Sequence, residues 1–549
     1  MAEGQREVDV VVVGAGFAGL YMLHKLRGQG CSVQVFEAGD GVGGTWYWNR
    51  YPGARCDIES MEYSYGFDEE LQQEWEWTER YAPQPEILSY ANHVADRFDL
   101  RKDIQFETKV TGAAFDDATS TWRVVTDCGD DVTARFVIMA TGCLSSANTP
   151  VIPGADSFTG PTYHTGEWPH EGVAFTGQRV GMIGTGSSAI QSIPIIAEEA
   201  AELTVFQRTA SFTVPAWNQS LDPTAVKEIK AEYSEFRAAN RLMPTAFGSR
   251  MERRDQSALE VSEKERGEEF ERRWANGGLA FLGAYNDLLL SKEANEMAAE
   301  FVRGKLSEIV EDPEIVRKLT PDQVVGCKRL CVDTGYWATF NKDHVHLVDL
   351  RESPIEEITP TGIRTSAGEH ALDAIVYATG FDAMTGALLR IDITGRGGRS
   401  LQDAWSAGPR TYLGLGMEGF PNLFTITGPG SPSVLSNMMA SIEQHVEFVA
   451  DCVAFVHEHG LATVEPTTEA QDAWVEHVRE LGDATLYPRA KSWYMGANVP
   501  GKPRVLLPYV GGVGRYRREC EGVVERGYEG FELRPRQTPV ARRPGVVGT

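Results

Sequence analysis

Two short apolar runs, Val10–Val13 and Val33–Phe36, flank a stretch with helical apolar spacing from Phe17 to Leu26. Runs of this length bounded by glycine read as buried strands, and the spacing between them reads as a helix. The pattern returns at Val180–Ile183 and Leu203–Phe206. Further strands are expected over Ile104–Thr108, Trp122–Thr126, Phe136–Ala140, Asp373–Tyr377 and around Pro421–Ile426. Between Asp222 and Lys318 the composition shifts to Glu, Lys, Arg and Ala. Lys227–Asn240, Glu260–Trp274 and Glu293–Val310 there have the spacing of amphipathic covering helices.

Two strands end alike, one in Ala140-Thr-Gly142 and the other in Ala378-Thr-Gly380. Paired exits suggest two crossings between one domain and another inserted within it. The expected fold is α/β, with two Rossmann-like dinucleotide-binding domains and a helical insertion. The first domain takes 1–144 and 381–535, the second 145–220 and 321–380, the helices 221–320, and a flexible basic tail 536–549.

The turn after the first strand is Gly14-Ala-Gly16-Phe-Ala-Gly19, and the second strand ends in Glu37. Gly14 permits the turn, Gly16 lets backbone approach a pyrophosphate, and Gly19 lets helix pack on strand. The helix start offers free N–H groups to phosphate, and Glu37 suits a free ribose 2′-hydroxyl. In the second unit, Gly184-Thr-Gly186-Ser-Ser-Ala189, alanine replaces the third glycine. Gln207 stands where the acid would be, followed by Arg208 and Thr209. A cation and a hydroxyl accept a 2′-phosphate, so the pair reads as FAD first and NADPH second. Ser187, Ser188 and Gln191 are counted with the second site. Gly44, Thr45 and Trp46 are counted with the first, in the aromatic Gly-rich loop from Gly41 to Asp57.

A formal charge of −26 argues against nucleic acid or an anionic membrane as general partners. No apolar run approaches the length of a membrane span, and the first residues resemble no signal peptide. Eight cysteines without paired metal spacing suggest reduced thiols, a cytoplasmic location and no metal site. A monomer or weak dimer is expected. Lys328 and Arg329, read as part of a strand, would point to opposite sides. A helix starting near Ser433 and the irregular loop Trp493–Arg504 complete the candidate site elements.

The stretch Phe158-Thr-Gly160-Pro-Thr-Tyr-His164-Thr-Gly-Glu-Trp168-Pro169 resembles the F-x-G-x-x-x-H-x-x-x-W-P fingerprint of Baeyer–Villiger monooxygenases at every fixed position. Flavin monooxygenases that hydroxylate amines or sulfur compounds usually lack its terminal Trp-Pro. The resemblance covers nearly the whole chain and implies conversion of ketones to esters or lactones with NADPH and O2, through a flavin C4a-peroxide. Sulfide oxidation is implied beside it. It makes Arg329 the catalytic arginine, Asp57 its partner, Lys328 a 2′-phosphate ligand and Trp493 a contact of the NADP side. His164 becomes a conformational residue in an interdomain linker. Cys143, Leu144, Ser433, Val434, Leu435 and Met438 become the substrate pocket. Cys143 departs from a glutamine found in the family, which leaves substrate preference open.

Three other readings compete. An N- or S-hydroxylating flavin monooxygenase would share both nucleotide units. A disulfide reductase would need a redox cysteine pair near residue 45, where there is none. A non-enzymatic flavoprotein leaves the second unit without a purpose.

Overall fold

The computed structural model describes residues 6–251 and 253–536. Arg6–Val13 lies at the centre of the first sheet, parallel to Val33–Phe36 on one side and Asp131–Met139 on the other. Val10, Val11 and Val12 have no solvent exposure, as expected of a strand covered on both faces. Ile104–Gln105 extends one edge, and Thr121–Thr126, Val110–Asp116 and Asp392–Thr394 extend the other. Leu423–Thr425 also pairs with Asp131–Met139. Chain from beyond the second crossing therefore returns to the first sheet.

The second sheet runs Val345–Asp349, Glu202–Gln207, Arg179–Ile183, Ala374–Tyr377, Thr162–His164, with every pairing parallel. Both sheets close their first turn in the same way. Gly14 N–H donates to Phe36 O at 2.8 Å and Gly184 N–H to Phe206 O at 3.1 Å. A Cβ on Gly14 would stand 2.7 Å from Ala140 O, and one on Gly184 2.4 Å from Ala378 O. The two Ala-Thr-Gly exits thus occupy equivalent places, each pressing its first carbonyl on a turn glycine.

Between the paired strands Thr213–Pro215 and Cys331–Asp333 stand the helices Pro223–Ala231, Tyr233–Leu242, Glu263–Asn276, Lys292–Ile309 and Pro313–Leu319. Two of them meet through aromatic rings, Phe270 and Trp274 of Glu263–Asn276 lying 5.4 and 6.1 Å from Phe301 of Lys292–Ile309.

Two sequence expectations change. Lys328 and Arg329 lie in an irregular segment, because Gly326 at φ +80° breaks any extended run before Cys331. Ser433–Leu435 is only a short 3₁₀ turn, and the helix starts at Met438, where the Asn437 side chain caps Met439 N. His164, expected in the interdomain linker, ends an edge strand of the second sheet. Phe531–Pro535 pairs with Leu461–Pro466, and 537–549 of the expected tail lie outside the described residues.

Candidate active site

A cavity of about 770 Å³ runs from the Gly14–Gly16 turn to Arg329. Glu37, Gly44, Thr45, Trp46, Asp57, Cys143, Leu144, Ser187, Gln191, Val434, Met438 and Trp493 all reach its wall. At one end the helix Phe17–Gly28 begins at Gly16 with no side-chain cap and no acid in its first turn. Ser187–Glu199 begins at Gly186 in the same manner. Helices that start after Asp222, Ser262, Ser291, Asp312 and Asn437 bring their own capping oxygen. The two glycine starts thus keep their N–H groups and positive dipole ends for an anion.

Glycine is required here on packing grounds. A Cβ on Gly19 would meet Gly14 O at 1.9 Å, so helix and turn are in backbone contact. Gly16 faces Gly44, whose Cβ would come within 2.8 Å of Gly16 Cα. Gly186 meets nothing within 4 Å, which leaves the space before the second helix open.

The Glu37 carboxylate accepts from Ala15 N at 2.7 Å and Gly39 N at 2.8 Å. Burial raises its pKa while these N–H groups hold it down. Each oxygen keeps further acceptor capacity. In the second unit the buried Gln207 amide donates to Lys318 O at 2.7 Å, so no acid faces the equivalent ribose position. Burial lowers the Lys328 pKa, and the charge of Arg208 lowers it further. The carboxylate charge acting on Lys328 is that of Asp322, which is itself paired with Arg351 at 3.2 Å. Thr209, beside them, holds Thr185 Oγ1 through its carbonyl at 2.8 Å.

At the far end Asp57 takes Arg329 in a fork, with Nε to Oδ2 at 2.8 Å and Nη2 to Oδ1 at 2.7 Å. Nη1 donates to Val434 O at 2.8 Å. Burial works against the guanidinium charge, but Asp57 and then Tyr494 hold its pKa above the usual range. Cys143 is a buried neutral thiol, its pKa raised by burial. It bonds Ser433 Oγ at 3.0 Å and Thr427 O at 3.2 Å.

Ser188 and Leu435 fall away from the cavity, and Gln191 is engaged within its wall. Ser188 Oγ bonds Thr165 Oγ1 at 3.1 Å. Gln191 touches the wall, but its amide is engaged by Tyr51 OH at 2.8 Å and Arg55 O at 3.1 Å. It ties the second nucleotide helix to the first domain's loop. Leu435 packs in the apolar cluster around Cys143 rather than on the wall.

The fingerprint braces the second crossing. His164 Nδ1 accepts from Gly166 N at 2.9 Å, which places its ring proton on Nε2, 3.3 Å from Thr379 Oγ1. Burial lowers the His164 pKa and keeps the ring neutral. Gly160 leaves room for Asp373 O, which a Cβ would meet at 2.3 Å. Trp168 packs against Tyr163 at 5.5 Å, and Phe158 lies against the cluster behind the second sheet.

Two participants had not been found in the sequence. The Val434 carbonyl is backbone and carries no sequence signal. Tyr494, which meets Arg329, lay unassigned inside the aromatic loop beside Trp493.

A family model described as pyridine nucleotide-disulphide oxidoreductase matches residues 11–275. All eight cysteines are free, so no disulfide accompanies that match. A protein named Baeyer-Villiger monooxygenase from Pseudooceanicola batsensis is 45% identical over 526 residues, covering 95% of each chain. Phenazine N-monooxygenase PhzNO1 of Lysobacter antibioticus is 42% identical, covering 96% of this chain and 97% of its own. A solved structure of oxidized steroid monooxygenase bound to NADP superposes with a TM-score of 0.92 at 53% identity, over 96% of this chain and all of the other. With this identity along almost its full length and an aspartate-held arginine at the end of its nucleotide cavity, the chain belongs to the Baeyer–Villiger monooxygenase family.

Proposed function

We propose that this chain is an NADPH-dependent flavoprotein monooxygenase that converts ketones to esters or lactones with O2. The observation that carries the reading is the Asp57–Arg329 fork at the end of a cavity that begins at a dinucleotide turn.

The residues fit FAD in the first site. The uncapped Gly16 helix start and Gly14 meet its pyrophosphate, Gly19 keeps the helix close, and Glu37 takes its ribose. Gly44, Thr45 and Trp46 would line its site, with Asp57 and Arg329 at the far end of the same cavity. They also fit NADPH in the second. Gly184, Gly186, Ser187 and Ser188 frame its pyrophosphate, Lys328, Arg208 and Thr209 its 2′-phosphate, and Trp493 its nicotinamide side. Gln191 orients the helix that presents them. On this reading 1–144 and 381–535 hold FAD, 145–220 and 321–380 hold NADPH, and 221–320 covers both.

Bound FAD, reduced by NADPH, supplies the activation of dioxygen. The chain supplies charge, position and a dry site. A ketone attacked at carbon gains negative charge on oxygen, and a fixed guanidinium beside it stabilises that charge without accepting or losing a proton. Asp57 keeps the cation paired while it waits. Cys143, Leu144, Val434 and Met438 present apolar surface that excludes water from the reacting atoms, with Ser433 and Leu435 behind them. A neutral thiol at Cys143 suits an uncharged ketone, and the same pocket suits sulfides.

No helix among the described residues is long and apolar enough to cross a membrane. Eight unpaired thiols support a cytoplasmic setting, with the chain acting as a monomer or weak dimer. N-oxygenation is the second reading, supported by the phenazine N-monooxygenase likeness. Aryl, cyclic and linear ketones, supplied with NADPH and air, separate the readings by mass spectrometry. Esters or lactones support the first, and N-oxides from amines with no ester from any ketone reject it.

A further inference from the structure

The loop that carries Asp57 is held from two sides. On its own domain, Gln84 N–H donates to Ala54 O at 2.8 Å and Cys56 N–H to Ala82 O at 3.1 Å. From the second nucleotide unit it is gripped at two points. One is the Arg329–Asp57 fork at the loop's end. The other is Gln191, in the helix Ser187–Glu199 that starts at Gly186.

Gln191 Oε1 accepts from Tyr51 OH at 2.8 Å and from Arg55 N–H at 3.4 Å, and Nε2 donates to Arg55 O at 3.1 Å. The amide thus pairs with the Arg55 backbone as a neighbouring strand would, and both lone pairs of Oε1 are used. Two donors on the oxygen and an acceptor on the nitrogen fix which way the amide faces. The residue is 6% exposed. Backbone meets backbone at the same place. Gly53 takes φ +80°, and a Cβ there would stand 2.2 Å from Gln191 O, so loop and helix are seated with no side chain between them.

The two grips differ in kind. Arg329 carries charge and lines the cavity, where a substrate oxygen would compete for its donors. Gln191 is neutral at any pH and spends its oxygen wholly on the loop. It can hold the two units together while the guanidinium is occupied elsewhere.

We propose that Gln191 is a positioning residue for hydride transfer: it sets the register of the second nucleotide unit on the first, and with it the distance at which NADPH meets FAD. This rests on the cofactor reading above, in which the step is NADPH + H⁺ + FAD giving NADP⁺ + FADH2. Reacting atoms must stand about 3–3.5 Å apart, and a misplacement of about 1 Å can cost about a hundredfold in rate. A tie between the units, made by a side chain that is no phosphate ligand, controls rate rather than affinity.

Gln191→Leu keeps the bulk and removes the tie. Tyr51→Phe removes one of its three hydrogen bonds and keeps the ring. In the FAD-loaded protein without O2, the rate of flavin reduction at saturating NADPH is expected to fall at least about tenfold in Gln191→Leu and by less in Tyr51→Phe. Kd for NADP⁺ is expected to hold in both. Residue-resolved hydrogen exchange gives a reading without turnover. The Arg55 amide is expected to exchange faster in Gln191→Leu, while that of Cys56, bonded to Ala82 O, keeps its protection. An unchanged saturating rate in Gln191→Leu, a loss confined to NADP⁺ affinity, or an Arg55 amide as protected as in wild type overturns the proposal. Should Gln191→Leu fail to retain FAD, an unchanged rate in Tyr51→Phe overturns it. A wild-type flavin that NADPH does not reduce rejects the cofactor reading instead.

Discussion

Asp57 grips Arg329 along one edge, through Nε and Nη2, and leaves the Nη1 side to a backbone carbonyl, Val434 O at 2.8 Å. Both side chains stay partly accessible, at 21% for Arg329 and 24% for Asp57. A cation bound on one edge is fixed in direction while its other edge faces the cavity. Arg329→Ala is expected to abolish ester formation and leave reduction by NADPH measurable. Loss of one fixed donor costs about 2.7–4 kcal/mol of barrier, or about 10²–10³ in rate. Asp57→Ala is expected to fall nearly as far, by releasing the cation rather than removing it. Stopped-flow reduction beside product analysis checks both, and ester formation retained in Arg329→Ala would remove that residue from the chemistry.

Lys328 and Arg208 carry the positive charge that a 2′-phosphate would need. Lys328→Ala with Arg208→Ala is expected to raise KM for NADPH far more than for NADH, each lost charged contact being worth about 1.5–3 kcal/mol. Burial lowers the Lys328 pKa, so its ammonium gives up its proton earlier than an exposed lysine. The preference for NADPH is accordingly expected to weaken on the alkaline side. Equal loss for both nucleotides would refute the assignment.

Both nucleotide turns were legible because Gly, β-branched runs and a placed acid are local signals with a fixed spacing. Glu37 was named from its distance to Gly14, and the structure places it where its oxygens reach Ala15 and Gly39. The paired Ala-Thr-Gly exits were legible as a repeat, though not as carbonyls pressed on turn glycines. Arg329 was different. The local pattern gave Lys328-Arg329 only a place in a strand with the two side chains opposed, and the family resemblance supplied its role. Its hydrogen-bond partners come from residues 57 and 434, distant segments that no periodicity connects. The strand reading failed because Gly326 takes a positive φ, which residue type permits but does not announce. The helix near Ser433 was placed early because the capping residue is Asn437, after a turn in which Ser433 itself takes φ +41°.

Gly14 and Gly186 stand in the two turns, yet substitution should separate them. Gly14 combines φ +104° with Ala140 O at 2.7 Å from any added Cβ. Gly14→Ala is expected to lower Tm and FAD content together. Gly186 has φ −83° and open space ahead of it, so a methyl group fits the free protein. Gly186→Ala is expected to keep Tm and FAD while weakening NADP⁺ binding at least about tenfold, by occupying the place of a phosphate oxygen. Calorimetric titration with NADP⁺ checks this, and wild-type affinity in Gly186→Ala would place the dinucleotide elsewhere.

Glu62 gives the fold a pH dependence of its own. Burial pushes its carboxyl up to about 7, against Gly248 N–H and Asn240, which favour the charged form. Oε1 accepts from Gly248 N at 2.8 Å and Asn240 Nδ2 at 3.2 Å. Arg237 also favours the charge, Glu59 opposes it, and Arg80 and Arg250 line the adjoining small cavity. A carboxyl whose folded pKa lies above its unfolded value binds its proton more tightly when folded. It therefore costs nothing below the unfolded pKa, and stability falls as pH rises from there toward 7. The full cost, at most about 3 kcal/mol, is reached above pH 7. Glu62→Gln keeps the acceptor for Gly248 and removes the charge. It is expected to match wild type near pH 4.5 and to be more stable at pH 8, a difference visible in Tm measured across that range. A variant that is less stable than wild type at pH 8 would show that Glu62 is held as a carboxylate whose bonds outweigh its burial.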